Sequence, residues 1–325
     1  MNSKTNIANS PKKVFILNEK CNLFCRKVPL KICHIKTQDE KIYSCALHWH
    51  CLHPSLLKKD ENMEKRFSIE ELTCLHLLRC HYADICSKEE RELRETIALH
   101  PATFAKAKMI CEKQKEAGVC VIPYYADDYS ASFAQIGAEA PALIHLLGNK
   151  KLLYNENSIA IIGSRNADDV GCNIAYQLAK DYALKGNTIV SGLALGCDTA
   201  AHQGCIDANG KTIAVVASGL DIVPPKANES LQKEIINKGG LIISEQPFGV
   251  KANSARLYAR NRLQAALAQK VIVVQCAVKS GTMNTVHFAH KYGCKIYAVA
   301  YGQYDAHNAG NEYILKNGIG FPIKL

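Results

Sequence analysis

The chain has 325 residues, 48% hydrophobic and 22% charged, so it can bury a sizeable core and wholesale disorder is excluded. Its formal charge of +10 points to a polyanionic partner, nucleic acid ahead of a membrane surface, although solvated lysines on an ordinary surface would give the same total. No run of 18 uncharged apolar residues occurs and the polar stretch Met1–Lys13 lacks a signal-peptide core, so no membrane partner and a cytoplasmic location are expected, with the 15 cysteines as thiols or metal ligands.

Three textures follow one another along the chain. Residues 1–59 form a basic Cys/His-rich segment, with 11 Lys and Arg against 3 Asp and Glu. Nine Cys and His lie between Cys21 and His53. The pair Cys21 and Cys25, set against Cys45 and His48 (or Cys51), would close a tetrahedral structural zinc site. The counter-reading is that ten further cysteines are scattered without ligand spacing, so the chain simply uses cysteine freely.

Residues 60–118 read as a small helical domain. Leu72, Leu75, Leu77 and Leu78 share a helical spacing within Phe67–Cys80, and Lys88–Lys115 reads as one or two charged amphipathic helices. Gly118 is placed to end the last of them, and Val119–Tyr125 looks like a strand.

Residues 119–325 read as one α/β domain. Short β-branched runs recur at Ser158–Ile162, Asn187–Val190, Thr212–Val216, Leu241–Ile243, Val271–Val274 and Lys295–Val299. Helical stretches separate them: Gly171–Lys185, Thr199–Ala208, Asn228–Asn237, Arg260–Gln269 and Thr282–Tyr292. Continuous apolar strands alternating with helices predict an α/β fold with a doubly wound, mostly parallel sheet covered on both faces.

Ligands of such sheets bind beyond the carboxyl ends of the strands, where three small polar loops lead into helices. They are Gly163-Ser164-Arg165-Asn166, Ser191-Gly192 running on to Asp198, and Ser280-Gly281-Thr282. Glycines let backbone N–H groups approach an anion, helix N-termini add partial positive charge, and Ser164, Ser280, Thr282 and Arg165 supply further donors. A segment from Arg256 to Arg262 adds three arginines with Tyr258 and Asn261, the combination that holds single strands by phosphate contact and base stacking; a salt-bridged helix start is the bland alternative.

Signatures of familiar nucleotide enzymes are missing. There is no G-x-x-x-x-G-K-[ST] loop and no G-x-G-x-x-G after the first strand, so neither a P-loop ATPase nor a dinucleotide enzyme is expected. Asp198 and His202 would form a proton relay at i, i+4, against the simpler reading that Asp198 caps the helix and His202 packs on the sheet. No catalytic set and no cofactor beyond the possible zinc are expected.

From about Tyr124 to Gly318 the chain resembles the DprA/Smf DNA-processing family. The resemblance is carried by Ile161-Ile-Gly-Ser-Arg165, Ser191-Gly-Leu-Ala-Leu-Gly-Cys-Asp-Thr-Ala-Ala-His202, Gly219-Leu-Asp221, Ile243-Ser-Glu245, Arg260-Asn-Arg262, Ser280-Gly-Thr282 and Gly310-Asn311, in that order. It implies a Rossmann-like domain, at 119–325, in a non-catalytic protein that binds single-stranded DNA without sequence preference, protects it, and helps load the RecA recombinase during natural transformation, as a homodimer. It also implies that Arg165, Lys226, Arg260, Asn261 and Arg262 bind phosphates, and that Gly163, Ser164, Ser191, Gly192, Ser280, Gly281 and Thr282 form the anion-receiving loops. The chain departs from the family pattern at Pro224, Leu257-Tyr258, Gln275 and Ala300-Tyr301, and a C-terminal winged-helix module is not expected before Leu325. The alternative is a Rossmann-like nucleotide-binding or nucleoside-phosphate-hydrolysing enzyme, which would need an acidic residue following Ser280-Gly281-Thr282.

Overall fold

The computed structural model describes residues 67–323 and the backbone of two short strands, β1 (Ile35–Lys36) and β2 (Ile42–Tyr43). These two pair antiparallel, Ile35 opposite Tyr43, inside a unit spanning Met1–Asn62. The expected zinc ligands Cys21, Cys25, Cys45 and His48 lie outside the described residues.

A second unit, Met63–Leu325, contains both the helices and the large sheet. Its first helix, α1 (Ile69–Leu77), opens with a reciprocal cap: Ser68 Oγ accepts from the Glu71 N–H while the Glu71 carboxylate accepts from the Ser68 N–H. Then come α2 (Tyr82–Ser87), α3 (Glu90–Ala98) and α4 (Pro101–Glu116), so the stretch Lys88–Lys115 is two helices. The break falls where Pro101 starts a new helix without needing an N–H partner. Gly118, at φ +73°, ends α4. Phe67, Leu72, Leu75, Leu93 and Ala107 close a core of their own over Leu143 of the sheet.

The sheet comprises β3 (Cys120–Pro123), β4 (Leu143–Gly148), β5 (Ser158–Ile162), β6 (Thr188–Ser191), β7 (Thr212–Val216), β8 (Leu241–Ser244), β9 (Lys270–Val273), β10 (Lys295–Val299) and β11 (Phe321–Ile323). Its order is β11-β10-β9-β5-β6-β7-β8-β4-β3. Strands β5 to β11 are mutually parallel, while β4 runs antiparallel to both β8 and β3. A short helix α5 (Ala131–Ala134) lies in the β3–β4 connection.

The helices divide between the two faces. On one, α6 (Asp169–Leu184) and α7 (Cys197–Asp207) pack Ile174, Ala175, Cys197 and Ala201 against Ile159, Ile161 and Ile272. Next to them α8 (Glu229–Asn237) sets Leu231 and Ile235 on Ala214 and Ile242. On the other face, α9 (Ser254–Ala266), α10 (Gly281–Lys291) and α11 (Ala309–Lys316) pack Leu263, Val286, Phe288 and Ile314 against Ala160, Ile162, Val271 and Val273. Every residue of β5 and β7 is buried, which is why these strands carry unbroken apolar runs. Each fully buried Ile or Val contributes about 1.5–3 kcal/mol.

Candidate functional site

Chain order runs outward in opposite directions from β5 and β9, which are neighbours, so a crevice opens at their carboxyl ends. A cavity of about 350 Å³ fills it, lined by Gly163–Asn166 after β5, by the start of α10, and by one side of α9.

Close packing shapes the first loop. A side chain at Gly163 would collide with the Cys197 sulfur, and one at Gly196 (φ +72°) with the Ser164 carbonyl, so α7 begins directly beneath the loop. The Cys197 N–H donates to the Ser164 carbonyl at 3.2 Å, and the Asn166 N–H to Ser164 Oγ at 3.1 Å. Arg165 is exposed at the rim.

The third loop is latched onto the first. Thr282 Oγ1 donates to the Gly163 carbonyl at 3.0 Å, and Asn261 Nδ2 donates to the Gly281 carbonyl at 3.1 Å. Ser280 precedes α10 without capping it, and its hydroxyl is buried without a hydrogen-bond partner. The leading N–H groups of α10 have no intrahelical acceptor and carry the positive end of the helix dipole into the crevice.

Helix α9 supplies the charge. It starts six residues before the expected Arg260, because Asn253 Oδ1 accepts from the Arg256 N–H at 2.9 Å. Arg260 is 6% exposed, donates from Nη1 to the Val215 carbonyl, and leaves Nε buried without a partner. Burial pulls its guanidinium down to about 10, with Asp198 opposing, so it stays charged at neutral pH. Exposed Arg165 adds like charge to the same cavity.

Four of the expected contacts lie elsewhere. Ser191 is the last residue of β6, and its hydroxyl donates to the Ile161 carbonyl of the next strand at 2.8 Å. Gly192 is buried, and a side chain there would collide with the Arg260 guanidinium and the Asp198 carboxylate. The Gly192 and Ala194 amides are directed at that carboxylate rather than at a ligand. Lys226 is exposed beyond β7, outside the cavity. Arg262 faces away from the crevice. It forms a bidentate pair with Glu245 (2.6 and 3.0 Å), and its Nε donates to the Glu139 carbonyl at 2.7 Å. Residues i and i+2 lie about 200° apart around a helix axis, and here Arg260 is turned into the cavity lining while Arg262 is outside it.

Asp198 and His202 do not form a relay. Burial pushes the Asp198 carboxyl up, opposed by Arg260 and the loop amides. His202 Nε2 accepts from the Leu193 N–H at 3.3 Å. Thr212 Oγ1 already donates to the Ile189 carbonyl, so His202 Nδ1–H donates to Thr212 Oγ1 at 2.7 Å. Burial pushes His202 down to about 3, leaving a neutral ring with both nitrogens engaged.

A family model for DNA recombination-mediator protein A matches residues 120–323. The chain belongs to this family. It is 31% identical over 215 residues to the DNA processing protein DprA of Bacillus subtilis, covering 66% of this chain and 72% of that one. It is 34% identical over 174 residues to the protein Smf of Synechocystis, covering 53% of this chain and 44% of that one. Among solved structures, DprA of Streptococcus pneumoniae superposes with a TM-score of 0.60 at 28% identity, covering 78% of this chain and 89% of that one. DprA of Helicobacter pylori, whose structure describes a single-stranded DNA binding mode, gives 0.57 at 28% identity, covering 63% and 90%.

The departures from the family pattern have local explanations. Gln275 donates from Nε2 to Asp168 Oδ2 at 2.9 Å and accepts from the Asp168 N–H at 3.2 Å, so an amide is paired with a carboxylate at the start of α6. Tyr301 donates to the Val274 carbonyl at 3.0 Å, and Leu257 and Tyr258 both line the cavity. Pro224 is joined to Pro225 by a cis peptide. Gln264, Asn284 and Thr285 also line the cavity and were not anticipated. The signal for Gln264 was available: it stands one helical turn beyond Arg260, on the same face.

Proposed function

We propose that this chain binds single-stranded DNA in the β5/β9 crevice, protects the strand, and helps load RecA during recombination and natural transformation, without catalysing a reaction on it. The observation that carries the reading is the union of Gly163–Arg165, the start of α10 and the buried, charged Arg260 around one cavity with an unsatisfied guanidinium N–H. Family membership and the Helicobacter pylori relative's binding mode support it. Gly163, Ser164, Arg165, Arg260, Asn261, Ser280, Gly281 and Thr282 are the residues assigned to the strand, with Asn261 and Thr282 acting through the loops they hold.

The carboxylates and histidine nearest the crevice support a binding role over the nucleotide-hydrolysing alternative. Asp198 holds Arg260, His202 is neutral and packed, and Glu245 is turned onto Arg262. A homodimer in the cytoplasm belongs to the same reading, and no described helix is long and apolar enough to cross a membrane. A structural zinc on Cys21, Cys25, Cys45 and His48 is a separate proposal, and metal analysis of the purified chain tests it: about one zinc per chain supports it and none overturns it.

The test is fluorescence anisotropy of a labelled single-stranded oligonucleotide at two salt concentrations, with duplex as competitor. Tight, salt-sensitive binding that duplex does not displace supports the reading. Absence of binding at low salt overturns it. RecA filament formation on a single strand, with and without this chain, then tests loading.

A further inference from the structure

The helical layer reaches the crevice through the connection between β8 and α9. This connection, residues 245–253, leads directly into the first turn of α9, which lines the cavity with Ser254, Leu257 and Tyr258 ahead of Arg260. Its middle is held from two sides. Gln114, in the last turn of α4, is 1% exposed, and its Oε1 accepts from the Phe248 N–H at 3.2 Å. The next amide, the Gly249 N–H, donates to both carboxylate oxygens of Asp221 at 3.0 Å. Beyond it, the Val250 carbonyl accepts from the Gly219 N–H at 2.8 Å and the Lys251 carbonyl from Arg256 Nη1 at 2.9 Å, so the hold continues up to α9.

Packing alone does not call for a glutamine here. With Oε1 committed to Phe248, Gln114 Nε2 donates to His145 Nδ1 at 2.7 Å, so the His145 ring carries its proton on Nε2. His145 is 1% exposed, and that Nε2 has no hydrogen-bond partner among the described residues. Burial pushes the ring down to about 3, which keeps it neutral. A buried N–H without a partner destabilises the fold, whereas two apolar side chains of similar size would fill the seam without that cost. What the polar pair supplies and apolar packing does not is direction. It aims one acceptor at one backbone N–H of the connection.

We propose that Gln114 is a positioning residue for strand binding: by fixing Phe248 it sets where the first turn of α9, and with it the wall carrying Tyr258 and Arg260, stands against the loops across the crevice. The proposal rests on the single-strand reading above. The helical layer then takes part in binding without touching the strand. The competing view is that Gln114 only fastens α4 to the sheet. On that view its loss acts on stability, and affinity follows stability.

The experiment uses the full chain, Gln114→Met, the double variant Gln114→Met with His145→Leu, Asp221→Ala, and Ile97→Ala as a control in the core that α1, α3 and α4 share. Each is followed by urea unfolding, by hydrogen exchange of residues 248–257, and by anisotropy with a labelled (dT)15 strand. Gln114→Met should speed that exchange and weaken strand binding, each by about threefold to tenfold, the scale of one lost hydrogen bond. The double variant should regain stability, because the orphaned imidazole is gone, but neither protection nor affinity. Asp221→Ala, at an exposed position that leaves the core intact, should loosen the same residues and weaken binding in the same direction. Ile97→Ala should lower stability and leave both other readouts unchanged. Affinity that returns with stability in the double variant overturns the proposal, and so does unchanged exchange at 248–257 in both Gln114→Met and Asp221→Ala. No binding by the unsubstituted chain sinks the single-strand reading alone, and the exchange comparison then decides the positioning role by itself.

Discussion

The two sides of α9 carry the same chemistry to opposite ends. Toward the crevice, Arg260 is buried with an N–H to spare, and Gln264 lines the same cavity one turn further along. Toward the helical segment, Arg262 is equally buried but fully used, holding Glu245 by two bonds and the Glu139 carbonyl by a third. Beside that pair, His76 of α1 meets Gln246 at 3.1 Å, so the network ties the helices to the sheet. An arginine with unmet donors in a cavity is available to a ligand; one whose donors are spent is structural. Burial alone does not distinguish them, because both are below a tenth exposed.

The largest effect should come from Arg262→Ala. It leaves the Glu245 carboxylate buried without its partner and should cost about 3–5 kcal/mol in urea unfolding, while molecules still folded keep single-strand affinity. The pH profile sharpens this. Burial would raise Glu245, but Arg262 overrides it and holds the carboxyl below its ordinary value. A depressed folded pKa contributes stability above the unfolded value of about 4.3, lost as pH falls through the lower folded value. That acid-side loss should shrink in Arg262→Ala, measured as unfolding free energy from pH 6 downward.

Gly192→Ala attacks the other side. The added carbon meets the Arg260 guanidinium and the Asp198 carboxylate, and should cost about 1–3 kcal/mol and also weaken strand binding. Losing stability without losing affinity would contradict the division between the two sides. Gln275→Glu puts a carboxylate at a buried position against Asp168 and replaces the amide donor, and should cost about 1–3 kcal/mol at neutral pH. The penalty should fade as the pair takes up a proton on acidification. Arg165→Ala should change stability least, by under about 0.5 kcal/mol, because the side chain is exposed.

The parallel sheet was legible in the sequence because strands buried on both faces, such as Ser158–Ile162 and Thr212–Val216, carry four consecutive apolar residues rich in Ile and Val with no polar alternation. The short edge strand Phe321–Ile323 was not, being three residues with a proline, nor was Leu143–Gly148, whose antiparallel pairing follows from no helix-length crossover. In the site, loops at strand ends were legible from their glycines. Which loop amides stay free was not: the second loop spends its amides on Asp198, four to six residues further along the chain. Ser191 shows the same limit, since a hydroxyl at a strand end serves either a ligand or the neighbouring carbonyl, and Ile161 takes it. The partner of Glu245 was not legible either, because it is Arg262, 17 positions on and brought up by a different helix.

That the crevice side of α9 and its facing loops bind the strand is tested most directly by the salt dependence of single-strand affinity for the unsubstituted chain and Arg165→Ala. Loss of one phosphate contact should weaken binding and lower the slope of log K against log salt by about 0.7. An unchanged slope and affinity would place the strand elsewhere on the protein.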